Sequence, residues 1–243
     1  MSFTIVGIFI LCATALLTGI AKTGIPGLGM LVVPLIAMAM PVRESTGFLL
    51  PILISGDVMA VLYWHRSAHW EHLGRILLWT AAGVVLGFAL MRVLSEAVFK
   101  PLLGGMIIAF VALDLVRRFA KIELRSESRL FAATIGIAAG AFTMLANAAG
   151  PVMTIYLLSM GLPKEEFVGT GAWFYFLINL FKAPFSVALG LLTWRAVKVD
   201  LMLLPLVAAG GVLGIVAMRR LPQRVFDLTA QILAALGGLK LFL

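Results

Sequence analysis

Charged side chains are scarce in this chain. Of its 243 residues, 12% are charged and 62% are hydrophobic. A soluble domain carries about 25% charged residues, so the composition excludes a globular protein with a water-exposed surface. The long apolar runs are apolar all round, whereas the strands of a membrane β-barrel alternate apolar and polar residues. We therefore predict a single all-α integral membrane domain over residues 1–243.

Other features are also missing. The single cysteine, Cys12, cannot form an intrachain disulfide. The opening MSFTIVGIF has no Lys or Arg before the apolar run, so we expect the first helix to be retained rather than cleaved. No HExxH, GxSxG or P-loop motif occurs, which gives no support to a metalloprotease, a serine hydrolase or an ATP-driven pump. We predict a protein that is not an enzyme and that has no cofactor or metal.

The net charge is +8, from 19 Lys and Arg against 11 Asp and Glu. In a soluble protein this balance suggests nucleic acid, but in an apolar chain it indicates basic cytoplasmic loops that face anionic lipid. The predicted partners are therefore the lipid bilayer and a small solute, and not nucleic acid. We expect a multi-pass protein of the plasma membrane, the inner membrane of a bacterium.

The chain divides near its middle at the hydrophilic run RRFAKIELRSESR, residues 117–129. Five apolar segments precede this run and five follow it. The first five lie at about 3–21, 25–41, 46–64, 74–91 and 99–116, and the second five at about 130–146, 149–162, 167–190, 201–218 and 224–243. We predict one repeat over about 1–116, a basic loop at 117–129 and a second repeat over about 130–243.

The two halves resemble each other in sequence. Pro41–Glu44 lies opposite Leu162–Glu165 at an offset of 121, and Gly87–Phe99 lies opposite Gly214–Phe226 at an offset of 127. Five spans per half would invert the second copy, and a cytoplasmic basic loop then satisfies the positive-inside rule. Parallel copies with four spans per half remain the alternative. Duplicated membrane bundles are mostly transporters that alternate access about a site between the repeats.

The first break in the apolar pattern is GIAKTGIPGLG, residues 19–29. Glycine and proline interrupt helices, and lipid tolerates such backbone only beside protein or a water-filled cavity. A helix that restarts near Pro26 would direct unpaired N–H groups and its positive dipole end into that cavity. We predict an anion site near the midplane formed by Lys22, Thr23, Gly24, Pro26, Gly27 and Gly29. Lys22 in a short cytoplasmic turn is the alternative.

The matching break in the second half is TMLANAAGP, residues 143–151. Thr143 and Asn147 offer uncharged hydrogen-bonding groups, and Gly150-Pro151 permits a helix to restart. Matched breaks in two repeats indicate a transport site, so we add Thr143, Asn147, Gly150 and Pro151 to the predicted substrate site. Ordinary glycine-mediated helix packing is the alternative.

Two ionisable residues interrupt apolar runs, Asp57 in PILISGDVMAVLYW and Lys182 in FLINLFKAPFSV. An intramembrane charge costs at least about 2.5–3.5 kcal/mol, so it normally has a partner or a task. We predict that Asp57 and Lys182 form a gating or coupling pair. The alternative is that Lys182 extends to the membrane surface while Asp57 bonds local backbone.

Small residues at i and i+4 favour close helix contacts in membranes. Three glycine pairs have this spacing and are predicted to lie at helix–helix contacts: Gly83/Gly87, Gly136/Gly140 and Gly210/Gly214. Trp173 and Tyr175 are interpreted either as lipid anchors or as residues that line the transport path.

GIAKTGIPGLGMLVVPLIAMAMPVRESTG and the following LPILISGDVMAVLYWHRSAHWEHLGRILLWTAAGVVLG resemble the TauE/SafE family of membrane transporters. Gly27, Gly29, Val33 and Pro34 match the family's glycine-rich motif, with Leu28 and Met30 as departures. The resemblance implies export of sulfite or movement of sulfonates.

Together, the breaks and the resemblance predict a secondary transporter for a small anion, sulfite or a sulfonate, with a coupling ion such as a proton among the possible partners. A channel, an uptake system for another small solute, and a non-transporting sensor or scaffold remain the alternatives.

Overall fold

The structure is a computed structural model that describes residues 4–25, 28–94, 128–226, 228–229 and 232. Within these residues the regular secondary structure is helical, with no strand. Five helical stretches are long and apolar enough to cross a membrane: Ile5–Thr23, Arg43–Ser67, Trp70–Val93, Arg129–Ala146 and Trp194–Arg220. The prediction of an all-α, multi-pass membrane protein is confirmed at this level.

Four helices lie in each half of the described chain. The first half contains α1 (Ile5–Thr23), α2 (Gly29–Ala37), α3 (Val42–Trp64) and α4 (Trp70–Val93), with a 3₁₀ turn at His65–Ser67. The second half contains α5 (Arg129–Ala146), α6 (Gly150–Ser159), α7 (Lys164–Ala188) and α8 (Trp194–Arg220). The apolar segment predicted at 99–116 and most of the basic loop lie outside the described residues, as does most of the segment predicted at 224–243.

Hydroxyl side chains fix the starts of three long helices. Thr4, Ser128 and Thr193 accept hydrogen bonds from the first-turn amides of α1, α5 and α8, which satisfies donors that have no partner within the helix. The starts of the short helices α2 and α6 have no such side-chain cap.

The helices α2 and α6 contain only 9 and 10 residues. At a rise of about 1.5 Å per residue each is about 15 Å long, half of a hydrocarbon core of about 30 Å. The interruptions before them span residues 24–28 and 147–149. The first is shorter than the sequence predicted, because residues 19–23 remain helical in α1.

Gly19 stays helical because it serves a helix contact. A Cβ built on Gly19 would lie 2.2 Å from the carbonyl oxygen of Val207, so only glycine lets α1 approach α8 this closely. The contact between α4 and α5 is similar, since a Cβ on Gly140 would lie 2.0 Å from the carbonyl oxygen of Thr80. All six glycines of the predicted i, i+4 pairs meet a neighbouring helix within 4 Å. That prediction is confirmed.

The buried apolar side chains form two clusters. One cluster lies mainly on α4, α5, α6 and α7 and includes Tyr156 and Phe174. The other lies on α1, α2, α3 and α8 and includes Ile36 and Leu49. The helices α3 and α7 pack against each other between the clusters. Polar side chains of α3 and α7 therefore meet in the interior.

Candidate functional site

A cavity of about 100 Å³ lies where the starts of α2 and α6 approach α3 and α7. Most of its wall is apolar, including Val33, Leu53 and Phe167. Its polar side chains come from four helices, α1, α5, α6 and α7, and from the break that precedes α6: Lys22, Thr143, Asn147, Thr154, Tyr175 and Asn179. An apolar pocket with a few convergent polar groups is the usual form of a small-molecule site.

Lys22 supplies the positive charge of the cavity wall from the last turn of α1. Its Nζ lies 2.7 Å from Oδ1 of Asp57 and 4.2 Å from the centroid of the Tyr175 ring. The Lys22 side chain is 12% exposed, whereas the Asp57 side chain is fully buried. A Cβ on Gly56 would lie 3.1 Å from Cγ of Lys22, so this glycine lets the lysine cross the face of α3.

Asp57 uses its second carboxylate oxygen to bond across to α7. Oδ2 accepts a hydrogen bond from Nδ2 of Asn179 at 2.6 Å. The sequence analysis missed Asn179, although two signals could have found it. It lies one turn before Lys182 in an apolar run, and it follows Asp57 by 122 positions, close to the repeat offset.

Lys182 is buried on α7 and bonds the end of α5. Its Nζ donates to the Thr143 carbonyl oxygen at 3.2 Å, to Thr143 Oγ1 at 3.1 Å and to Asn147 Oδ1. These three acceptors match the three donors of an ammonium group. The Thr143 carbonyl also accepts from the backbone amide of Asn147, and the negative end of the α5 dipole favours a cation at this helix end.

The predicted direct pair between Asp57 and Lys182 is therefore absent from the structure. Asp57 pairs with Lys22 and Asn179 instead, and Lys182 is held by acceptors of α5. Both predicted residues lie in the interior beside the cavity.

Asn147 ends α5 and ties it to α3. Its φ of 54° places it in the left-handed region, which asparagine tolerates better than most residues. Its Nδ2 donates to the carbonyl oxygen of Thr46 at 2.9 Å, while its Oδ1 accepts from Lys182. Thr143 Oγ1 also accepts from Lys182, so the Thr143 hydroxyl hydrogen is free to point at a ligand in the cavity.

Two helix starts border the same cavity. Gly29, the first residue of α2, lines it, and so do Gly150 and Pro151 at the start of α6. Proline fits the first turn because the amide it lacks has no intrahelical partner there. Uncapped amides and the positive end of the helix dipole favour an anion at such a place.

Two of the predicted residues do not reach the cavity. The Thr23 hydroxyl lies 2.7 Å from the carbonyl oxygen of Gly211, and a Cβ on Gly24 would lie 2.0 Å from that of Gly214. Both residues face α8, because Thr23 ends α1 and the Gly24 amide still bonds the carbonyl oxygen of Ile20 as in the preceding helical turn. The predicted residues Pro26 and Gly27 lie outside the described part of the chain.

Of the two aromatic residues considered, Tyr175 lines the cavity and Trp173 does not. The Trp173 ring lies 5.1 Å from that of Trp70 instead. Among the described residues, no group of His, Cys, Asp or Glu is arranged to hold a metal ion.

These features define a multi-pass helical membrane protein with a buried, basic cavity at two helix starts. The family described as sulfite exporter TauE/SafE matches residues 11–241. The chain belongs to this family of membrane transporters, as the sequence resemblance predicted. Comparisons with curated proteins and with solved structures gave no match.

Proposed function

We propose that this protein is a secondary transporter that exports a small anion, sulfite or a sulfonate, across the bacterial plasma membrane. The observation that carries the proposal is the position of Lys22. Its ammonium group lies at a cavity that the uncapped starts of α2 and α6 also border. A cation and two helix N-termini favour the same ligand charge.

The substrate site in this proposal comprises Lys22, the Thr143 hydroxyl, and the amides near Gly29 and Gly150. Asn147 contributes by fixing the end of α5, since its side chain already bonds Lys182 and Thr46. The apolar part of the wall would contact the remainder of a sulfonate.

Two inverted repeats would give the cavity access to both sides of the membrane in turn. The order and lengths of the helices support a duplication, because α1 to α4 contain 19, 9, 23 and 24 residues and α5 to α8 contain 18, 10, 25 and 27. The third helices of the two copies are α3 and α7. These two helices are antiparallel, because contact positions rise along α3 as they fall along α7. The contacts are Gly47 with Leu191, Asp57 with Asn179 and Ser67 with Gly169.

Reciprocal contacts add support for inversion. Gly47 of α3 meets Leu191, which follows α7, and Gly169 of α7 meets Ser67, which follows α3. The two glycines are 122 positions apart, and so are Asp57 and Asn179. The first helix of each copy also packs against the fourth helix of the other, α1 on α8 and α5 on α4.

Asp57 and Lys182 are proposed to act in gating. An anion that enters the cavity competes with the Asp57 carboxylate for Lys22, so its arrival weakens the ion pair between α1 and α3. Asp57 also bonds α7 through Asn179, which connects that change to the other copy. Lys182 holds the end of α5 and thereby positions Thr143 and Asn147.

The test is the thermal stability of the detergent-purified protein with sulfite, thiosulfate, sulfoacetate, taurine, sulfate or chloride. A ligand at about 100 times its Kd adds about 2.7 kcal/mol to the stability, which is visible as a higher unfolding midpoint. We expect a sulfur oxyanion to stabilise the wild type but not Lys22→Gln. The matched control is Lys198→Gln, which removes the same charge from an exposed position on α8.

If an anion stabilises wild type and Lys22→Gln equally, the binding site lies elsewhere. If none of the anions stabilises the wild type, the anion proposal fails. Flux of labelled substrate into liposomes separates a transporter from a channel. Only alternating access lets unlabelled substrate that leaves the liposome drive labelled substrate inward against the label's own gradient.

A further inference from the structure

A second carboxyl group lies buried outside the cavity, on the opposite side of α3. Asp200 belongs to α8 and is 5% exposed. Its Oδ2 accepts a hydrogen bond from Oγ of Ser55 at 2.7 Å. Its Oδ1 is buried and has no hydrogen-bond partner among the described residues.

In the part of the chain that the structure describes, no cation pairs with Asp200 from the helices packed against it. The helices α1 and α3 both contact α8. On these two helices, Lys22 and Asp57 are paired with each other, and Arg43 donates a hydrogen bond to the carbonyl oxygen of Met91. The other titratable groups there carry no positive charge: Glu44, which is exposed, and Cys12.

The helix α8 itself carries four basic residues. Arg195 and Lys198 are exposed, Arg219 lies over the ring of Tyr63 at 5.2 Å, and Arg220 is exposed at the far end of the helix. An ionised carboxylate in a membrane span without a cation is costly, whereas an unpaired neutral hydroxyl costs only about 1–3 kcal/mol. The neutral, protonated acid is the cheaper species at this position.

We propose that Asp200, oriented by Ser55, binds a proton that moves together with the anion, an inference that rests on the proposed transport function. Ser55, Gly56 and Asp57 are consecutive on α3, and Gly56 contacts Lys22. The proton site and the anion site therefore share one turn of α3.

The charges determine that proton and anion travel in the same direction. An ionised Asp200, bonded to Ser55 two positions before Asp57, would oppose an anion at Lys22 by charge repulsion, so a bound proton raises the affinity for the anion. By linkage, a bound anion raises the affinity for the proton equally. One proton and one monoanion cross together with no net charge, and both are released to the same aqueous phase. In the export proposed above both leave the cell, and the outward gradient of the anion drives the cycle.

The experiment uses radiolabelled methanesulfonate, because this monoanion stays ionised and does not itself carry the proton. The full-length protein is placed in liposomes with the membrane potential held at zero by potassium and valinomycin. A pH gradient of one unit is worth about 1.36 kcal/mol per proton, so it should drive about tenfold accumulation on the alkaline side. Exchange of labelled for unlabelled methanesulfonate is measured in parallel without a gradient.

We expect Asp200→Asn to lose the accumulation and to retain the exchange, because asparagine can still accept the hydrogen bond from Ser55 but cannot release a proton. Lys198→Gln, on the same helix, should accumulate as the wild type does. Accumulation by Asp200→Asn at the wild-type level would overturn the inference. Accumulation in a sodium gradient and not in a pH gradient would overturn it too.

An infrared measurement tests the proton without transport. The wild-type protein should show the C=O band of a buried protonated carboxylic acid, and Asp200→Asn should lack that band. An unchanged spectrum contradicts the inference. A wild type that has the band but neither exchanges nor accumulates methanesulfonate, and that no anion of the stability panel stabilises, contradicts the proposed function instead.

Discussion

The carboxylate of Asp57 on α3 accepts a hydrogen bond of 2.6 Å from the side-chain amide of Asn179 on α7. Each residue is the sixteenth of its helix, and the two lie 122 residues apart in the chain. The other oxygen of Asp57 pairs with Lys22, which lines the cavity. One buried carboxylate thus joins the cavity wall to both halves of the protein.

The pair between Lys22 and Asp57 should show strong coupling in a double-mutant cycle. Removing one member of a buried ion pair leaves an uncompensated charge and costs about 3–5 kcal/mol. We expect Lys22→Gln and Asp57→Asn each to lower the free energy of unfolding substantially. The double variant should be no less stable than either single variant, as measured by thermal and denaturant unfolding.

The matched control is the exposed i, i+4 pair between Arg75 and Glu71, whose members are 36% and 64% exposed. Surface pairs are worth about 0–1 kcal/mol, so the cycle Arg75→Gln with Glu71→Gln should show little coupling. Additive effects of the Lys22 and Asp57 substitutions would show that these two charges do not depend on each other.

The Tyr175 ring should stabilise Lys22 through its face and not through its hydroxyl group. The ammonium lies 4.2 Å from the ring centroid, a cation–π distance. Such contacts are worth about 0.5–2 kcal/mol. We expect Tyr175→Leu to lower the stability by that amount and Tyr175→Phe to match the wild type. Equal losses in the two variants would assign the effect to the hydroxyl instead.

Lys182 should act by positioning Thr143 and Asn147. In Lys182→Met the side-chain oxygens of Thr143 and Asn147 lose the Lys182 donor, while the Thr143 carbonyl keeps the Asn147 amide, and each buried unsatisfied group costs about 1–3 kcal/mol. Lys182→Gln keeps two N–H donors and should lose less. Affinity for the stabilising anion should fall in the same order, whereas Lys198→Met should change neither. An unchanged affinity in Lys182→Met would leave Lys182 a purely structural role.

Local signals in the sequence predicted part of this site. Three isolated polar residues interrupt apolar runs: Lys22, Thr143 and Asn147. The helix start at Gly150-Pro151 can be recognised from a short local sequence. A polar residue beside a helix start must lie near it whatever the tertiary fold. For that reason these residues were predicted to border the substrate site, and they line the cavity.

These local signals do not predict which side chains pair across helices. Asp57 and Lys182 are close in space, yet Asp57 bonds Asn179 on the same helix as Lys182. Asn179 and Lys182 lie about one turn apart on α7. The sequence does not fix which of the two turns faces Asp57 on a distant segment. Thr23 was misplaced for the same reason, because Gly19 keeps α1 helical through tight packing on α8 that only the tertiary structure shows.

The contact between α4 and α5 should respond to one methyl group at Gly83 but not at Gly74, a second glycine of α4. A Cβ on Gly83 would lie 2.2 Å from the carbonyl oxygen of Ile137, and backbone atoms cannot move aside as a flexible side chain can. We expect Gly83→Ala to lower the stability by about 1–3 kcal/mol through overpacking. Nothing lies within 4 Å of a Cβ on Gly74, so Gly74→Ala should raise the stability by up to about 1 kcal/mol through helix propensity. Thermal unfolding of the two variants checks the opposite signs, and a stabilising Gly83→Ala would mean that α4 and α5 do not pack this closely.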